Sequence, residues 1–113
     1  MVMKSYKFGL CAEYLAMLVY KIKFYNIIHH RKKNFVGEID IVACRGKQLI
    51  FIEVKARKGD ITENIVSKNQ QNRIRRSAEL FLSHNSKYNG YDVRFDLVFI
   101  RPYKWPVIIE NAW

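Results

Sequence analysis

Two runs of alternating and β-branched apolar residues, Ile39–Ala43 and Leu49–Val54, flank Arg45-Gly46-Lys47-Gln48. Two such runs around a short glycine turn predict a β-hairpin. Gly46 suits the first central position of a II′ turn, with Lys47 second. That turn pairs Arg45 with Gln48, so Val42 is expected to face Phe51, Asp40 to face Glu53 and Glu38 to face Lys55. Opposed residues share a face of a sheet. Asp40, Glu53 and Lys55 then converge at the open end of the hairpin, and Ile39, Ile41, Ala43, Ile50, Ile52 and Val54 form the core face.

The rest of the chain changes period around this hairpin. From about Lys4 to Phe24 the spacing is helical: Ser5 is placed to cap it, and Phe8, Cys11, Ala12, Leu15, Leu18, Val19 and Ile22 make a wide apolar stripe. The segment is apolar almost all round, so it is expected to be substantially buried against a sheet. Tyr25–His30 reads as a short strand running into the basic Arg31-Lys32-Lys33. Asp60-x-x-Glu63 has the form of a helix start. The helix is expected from Thr62 or Ile65 to Leu82, with Ile74, Ala78, Phe81 and Leu82 inward. Asn89-Gly90 signals a turn. Asp92–Arg101 alternates as a strand, and Val107–Glu110 reads as a short edge strand. A strand returning after a helix crosses over in parallel. The expected fold class is an α/β sandwich, a central mixed β-sheet with flanking helices, in a single domain spanning 1–113.

Charge narrows the partners. The 113 residues carry 20 Lys and Arg against 10 Asp and Glu, a formal net charge of +10. A small domain this basic meets a polyanion, and nucleic acid is the first expectation, DNA ahead of RNA. An anionic membrane surface or an acidic protein ranks lower. Cys11 and Cys44 are the only cysteines; with no CxxC they make neither a zinc site nor a disulfide framework, and both read as small core residues. Glu13 interrupts the amino-terminal apolar stretch, which argues against a signal peptide, and Phe8–Tyr20 is too short to span a bilayer. A cytoplasmic protein without a membrane partner is the expectation.

Candidate chemistry gathers at the hairpin. Directly opposed carboxylates destabilise a sheet unless something offsets them, and a divalent cation would; Mg²⁺ prefers oxygen ligands and is often held by one or two carboxylates with water and phosphate. An ammonium at Lys55 could steady a developing negative charge or position a water. The plain alternative is a surface hairpin with a Glu38–Lys55 ion pair and a solvated Asp40. Glu13, the one acid of the first helix, needs a partner if buried: Lys21, Tyr20 or a basic loop residue. Adjacent histidines on a strand face opposite sides, so His29 and His30 cannot easily share one ion. The apolar side of the second helix, extended backwards, reaches Gln70 and Gln71, where an amide meets either the site or the sheet backbone. Lys68, Arg73, Arg75 and Arg76 lie on its other side. Lys68, Asn72, Arg75 and Arg76 share a face there, and Lys68, Arg75 and Arg76 with Arg31, Lys32 and Lys33 are the phosphate-contact candidates; the alternative is a solvated face. Asp96 is expected to tie Arg94 or the first helix in place. Tyr103 and Trp105, between Pro102 and Pro106, read as a hydrophobic lid ahead of base stacking.

An acid on one strand followed by Glu-x-Lys on the next, here Asp40 and Glu53-Val54-Lys55, resembles the signature of the PD-(D/E)XK nuclease superfamily. More closely, Gly37-Glu38-Ile39-Asp40 and Phe51-Ile52-Glu53-Val54-Lys55-Ala56-Arg57 resemble the YraN-like family of small bacterial, endonuclease-like proteins. Gly9-x-x-Ala12-Glu13-x-x-Ala16 and Arg94-Phe95-Asp96-Leu97-Val98 match it in order. The resemblance implies a restriction-endonuclease-like core and a metal-dependent nuclease, or a non-catalytic nucleic-acid-binding module that keeps the fold. It implies Mg²⁺ or Mn²⁺ on Asp40 and Glu53, with Glu13 as a direct or indirect ligand. Lys55 would orient water, Glu38 would pair with Lys55 or help position a base, and Gln71 would stand near the metals. Two departures stand out: Arg31 and Gln70 occupy positions where the family commonly has asparagine and lysine. A nuclease that cuts both strands favours a homodimer.

Overall fold

In the computed structural model, which describes residues 5–58 and 66–113, the hairpin sits inside a five-stranded sheet of order β1-β2-β3-β4-β5. The elements are α1 (Ser5–Ile22), β1 (Asn26–Lys33), β2 (Glu38–Arg45), β3 (Gln48–Ala56), α2 (Lys68–Ser83), β4 (Asp92–Ile100) and β5 (Val107–Ile109), with a 3-10 turn at Ser86–Tyr88. All neighbours are antiparallel except β3 and β4, which run parallel. The α2 crossover makes that parallel pairing, as the strand–helix–strand order requires.

Alternation along the central strands sends side chains to two cores. Ile41, Ala43, Ile50, Ile52 and Val98 meet Ala12, Ala16, Met17 and Tyr20 of α1. Val42, Leu49 and Phe51 meet Ala78 and Phe81 of α2, with Tyr88. The result is an α/β sandwich with a mixed sheet between two helices, a restriction-endonuclease-like arrangement. Asp96, wholly buried, accepts from the Tyr20 hydroxyl at 2.7 Å and from Arg94 at 2.8 and 2.9 Å. It therefore ties both the first helix and Arg94, which meets the demand that a buried charge be paired.

Several boundaries differ from the sequence reading, each for a local reason. The Arg31–Lys33 run belongs to β1 and not to a loop; as an edge strand it leaves room for charged side chains, and a register shift at Ile28 and a positive φ of 59° at Arg31 interrupt its regular pleat. Ile39 joins the α2-side cluster and not the face of Ile41. The β2–β3 ladder ends at Ile41–Ile52, two residues short of Ile39, so β3 no longer fixes the face of Ile39. Helix α2 begins at Lys68, where the Ser67 hydroxyl accepts the Gln70 N–H at 3.1 Å. Asp60 and Glu63, read as its start, lie outside the described residues, as does the side chain of Ser5. Only one side of α1 is covered: Tyr14, Leu18 and Ile22 are 57%, 52% and 68% exposed, and Cys11 is exposed beside them. A helix on the outer layer of a single sheet has nothing to cover its far side. Cys44 is half-buried against the α2-side core.

Candidate active site

Gly46 has a φ of +60°, and Arg45 pairs with Gln48 across the turn. The Val42–Phe51 pair follows in register, and this brings Asp40 and Glu53 to the open end of the hairpin. There the ladder gives way to a side-chain contact: the Val54 N–H donates to Asp40 Oδ2 at 2.9 Å. Glu53 is buried, and its Oε1 accepts from Gln70 Nε2 at 3.4 Å and lies 3.5 Å from Lys55 Nζ. Lys55 Nζ also donates to Gln70 Oε1 at 3.2 Å. One amide on the first turn of α2 therefore bridges the Glu and the Lys of β3.

Burial and the neighbouring Asp40 charge push the Glu53 carboxyl up to about 8, against the pull of Lys55. Burial raises Asp40 as well, with Glu13 and Glu38 adding negative charge, while the Val54 N–H and Glu53 work the other way. Burial and the neighbouring Asp40 carboxylate thus favour the neutral form of Glu53. Gly37, Glu38, Asp40, Glu53, Gln70, Arg73 and Ile74 line a cavity of about 330 Å³ here. A Cβ on Gly37 would come within 3.3 Å of the Arg73 side chain and Ser77 Oγ, so a residue without a side chain lets α2 settle over the site.

The other site candidates are distributed around this centre. Glu13 is held by β1: its Oε1 meets His30 Nε2 at 2.8 Å and Arg31 Nε at 3.0 Å, and its Oε2 accepts Arg31 NH2 at 3.2 Å. Its partner is thus a strand residue pair. His29 goes to the other face, edge-on to Phe81 at 5.5 Å. Among the described residues no group of three or more His, Cys, Asp or Glu side chains comes together. Glu38 is exposed at the cavity rim, and Lys55 turns to Glu53 and Gln70. Gln71 turns back along the chain, donating to the Val66 carbonyl at 3.1 Å, so the amide at the site is Gln70. Arg73 lines the cavity, although the sequence reading set it on the far side of α2. Its spacing of three from Gln70 carries that signal. Lys33, Lys68 and Arg76 are exposed, while Lys32 and Arg75 are half-buried.

A mixed sheet between helices, with an acid on one strand and Glu-x-Lys on the next, defines a protein of the restriction-endonuclease-like class. The profile of the uncharacterised protein family UPF0102 matches residues 12–100, and the chain belongs to that family, the YraN-like one. It is similar to a UPF0102 protein of Parvibaculum lavamentivorans, 40% identical over 110 residues, 96% of this chain and 83% of that one. It is also similar to UPF0102 proteins of Mesorhizobium japonicum, 36% identical over 97% of this chain and 89% of the other, and of Ehrlichia ruminantium, 42% identical over 93% and 82%. None of the described helices is long and apolar enough to cross a membrane.

Proposed function

We propose that the protein is a metal-dependent phosphodiesterase acting on nucleic acid. The observation that supports this most is the half-buried Asp40 and the buried Glu53 lining one cavity, with Lys55 beside Glu53. The donor set suits a small hard cation: two carboxyl groups, and space for the waters that Mg²⁺ or Mn²⁺ retains. Asp40 and Glu53 would hold the ion. When bound, the ion supplies a Lewis acid and lowers the pKa of water. Glu53 must give up its proton for this.

The chain's own residues do the rest. Gln70 holds Lys55 by its carbonyl and Glu53 by its amide nitrogen, fixing the ammonium next to the carboxylate. From there Lys55 stabilises charge building on a phosphate oxygen or orients the attacking water, and a preorganised cation of this kind loses little to reorganisation. Arg73, at the cavity wall, offers a phosphate contact. Glu13, tied to His30 and Arg31, acts on Asp40 through its charge. The basic faces of α2 and β1 supply the attraction for the strand, DNA ahead of RNA.

Two observations favour a second reading, a binding module without catalysis. The cation-bearing side chain common at the Gln70 position is missing, and Glu13 is engaged by Arg31. Calorimetry separates the two readings. The wild-type protein should bind Mn²⁺ with release of about one proton, and Asp40→Ala should bind little. Equal binding by both would reject the site.

A further inference from the structure

We infer that the two loops beside the site form a stacking surface for unpaired bases, so that the protein selects single-stranded stretches of nucleic acid over continuous duplex. The three most exposed large hydrophobic side chains among the described residues are Phe35 at 90%, Tyr103 at 104% and Trp105 at 90%. The expected lid over the core is therefore absent; these rings cover nothing. All three lie at one end of the sheet. Phe35 is on the turn from β1 into β2, and Tyr103 and Trp105 are on the turn from β4 into β5. Strand directions put both turns at the end where β3 finishes, the end that holds Asp40, Glu53 and Lys55. The site lies on β2 and β3, between them in the strand order. Three inter-strand spacings separate the two turns, roughly 14 Å, the span of a few nucleotides.

The chemistry around the rings suits a nucleic-acid strand. Neither 31–37 nor 101–109 contains an acid, and Lys33, Arg57, Lys58 and Lys104 are exposed cations at this same end. A groove of about 450 Å³ lined by Lys55, Arg57 and Lys58 continues from the Glu-x-Lys strand, and the Arg57 N–H donates to the Ile100 carbonyl at 3.0 Å, joining it to the base of the Tyr103 loop. Cations alternating with open aromatic faces are what a single strand needs, phosphates to the charges and bases to the rings. Paired and stacked bases expose no face to such rings, whereas an acidic protein would need the cations alone. The loop is also set in advance. Pro102 and Pro106 restrict it, and Tyr103 holds a φ of 59°, a left-handed conformation that bulky residues avoid.

This inference rests on the proposed nuclease reading for its purpose, but its test requires no catalysis. Binding of a short oligothymidylate and of a same-length duplex is measured by fluorescence anisotropy in EDTA. The wild type should prefer the single strand. Trp105→Ala and Tyr103→Ala should each weaken single-strand binding roughly fivefold to hundredfold and leave duplex binding within about twofold. Trp105→Phe should restore most of the loss, which excludes misfolding as its cause. Single-strand binding that quenches Trp105 emission in the wild type completes the expected pattern. Unchanged single-strand affinity in Trp105→Ala, or an equal loss on both substrates, overturns the inference. If ring dependence holds while Asp40→Ala proves irrelevant to metal and cleavage, the nuclease reading fails alone; if Asp40 matters and the rings do not, the stacking surface fails alone.

Discussion

Lys55 is the residue on which the chemistry can be judged. Its ammonium touches only Gln70 and Glu53 among the contacts described, both of them residues of the site. Lys55→Met should therefore fold normally and retain Mn²⁺ binding, while Mn²⁺-supported cleavage falls by about 10²–10³ or more. Circular dichroism and cleavage of duplex, branched and single-stranded substrates check this, and wild-type cleavage by the folded variant would remove the mechanism. Glu53 carries a pH signature in the metal-free protein. Its folded-state value, raised to about 8 from 4.5, means that the native protein binds more protons than the unfolded chain between these values. The contribution of Glu53 to stability is therefore full below about pH 4.5 and is lost as pH rises through about 8, by an amount on the order of a few kcal/mol. Urea unfolding in EDTA at several pH values should show this decline, and Glu53→Gln should flatten it. At this scale the sequence carried the identities of Asp40, Glu53 and Lys55, because pleat and turn type place them. It did not carry the choice of Gln70 over Gln71, since two adjacent amides at the start of a helix are separated only by where the helix starts.

At the scale of elements, legibility followed the locality of the signal. The hairpin was readable because Gly46 fixes the turn and the turn fixes the register through Ile41–Ile52. The parallel return of β4 followed from the helix between the strands. The start of α2 was obscured because several polar residues before Lys68 resemble caps, and the one that caps is Ser67. The basic run of β1 was misplaced because charge suggests a loop, while an edge strand tolerates it equally well. Helix α2 also makes a prediction of its own. Arg76 is exposed and Arg75 half-buried on the helix that borders the cavity. If this helix tracks phosphates, Arg75→Ala with Arg76→Ala should lower the slope of log K against log salt on duplex DNA by roughly two. An unchanged slope would take the helix out of the footprint.

For the molecule as a whole, composition indicated a basic α/β domain with one sheet, but not where bare surface would fall. The outer side of α1 and the two aromatic loops are exposed for reasons of layering that no single stretch records. The register of the sheet has a further consequence, for the order in which the chain assembles. Ile41 and Ile52, at the last step of the hairpin, are 11 residues apart, whereas Gln48 and Asp92 of the β3–β4 pair are 44 apart. Closing the longer loop costs roughly 1.2 kcal/mol more, two doublings of length. The hairpin is therefore expected to zip early and the parallel pair to close late. The cost of bringing the two carboxyls together, which includes protonating Glu53, is then met on the way up the folding barrier. Asp40→Asn, which keeps an acceptor for the Val54 N–H, should raise the folding rate and leave the unfolding rate nearly unchanged, a difference that stopped-flow chevrons resolve. The carboxylate that equips the site for a cation is, on this account, one that slows the chain's path to its fold.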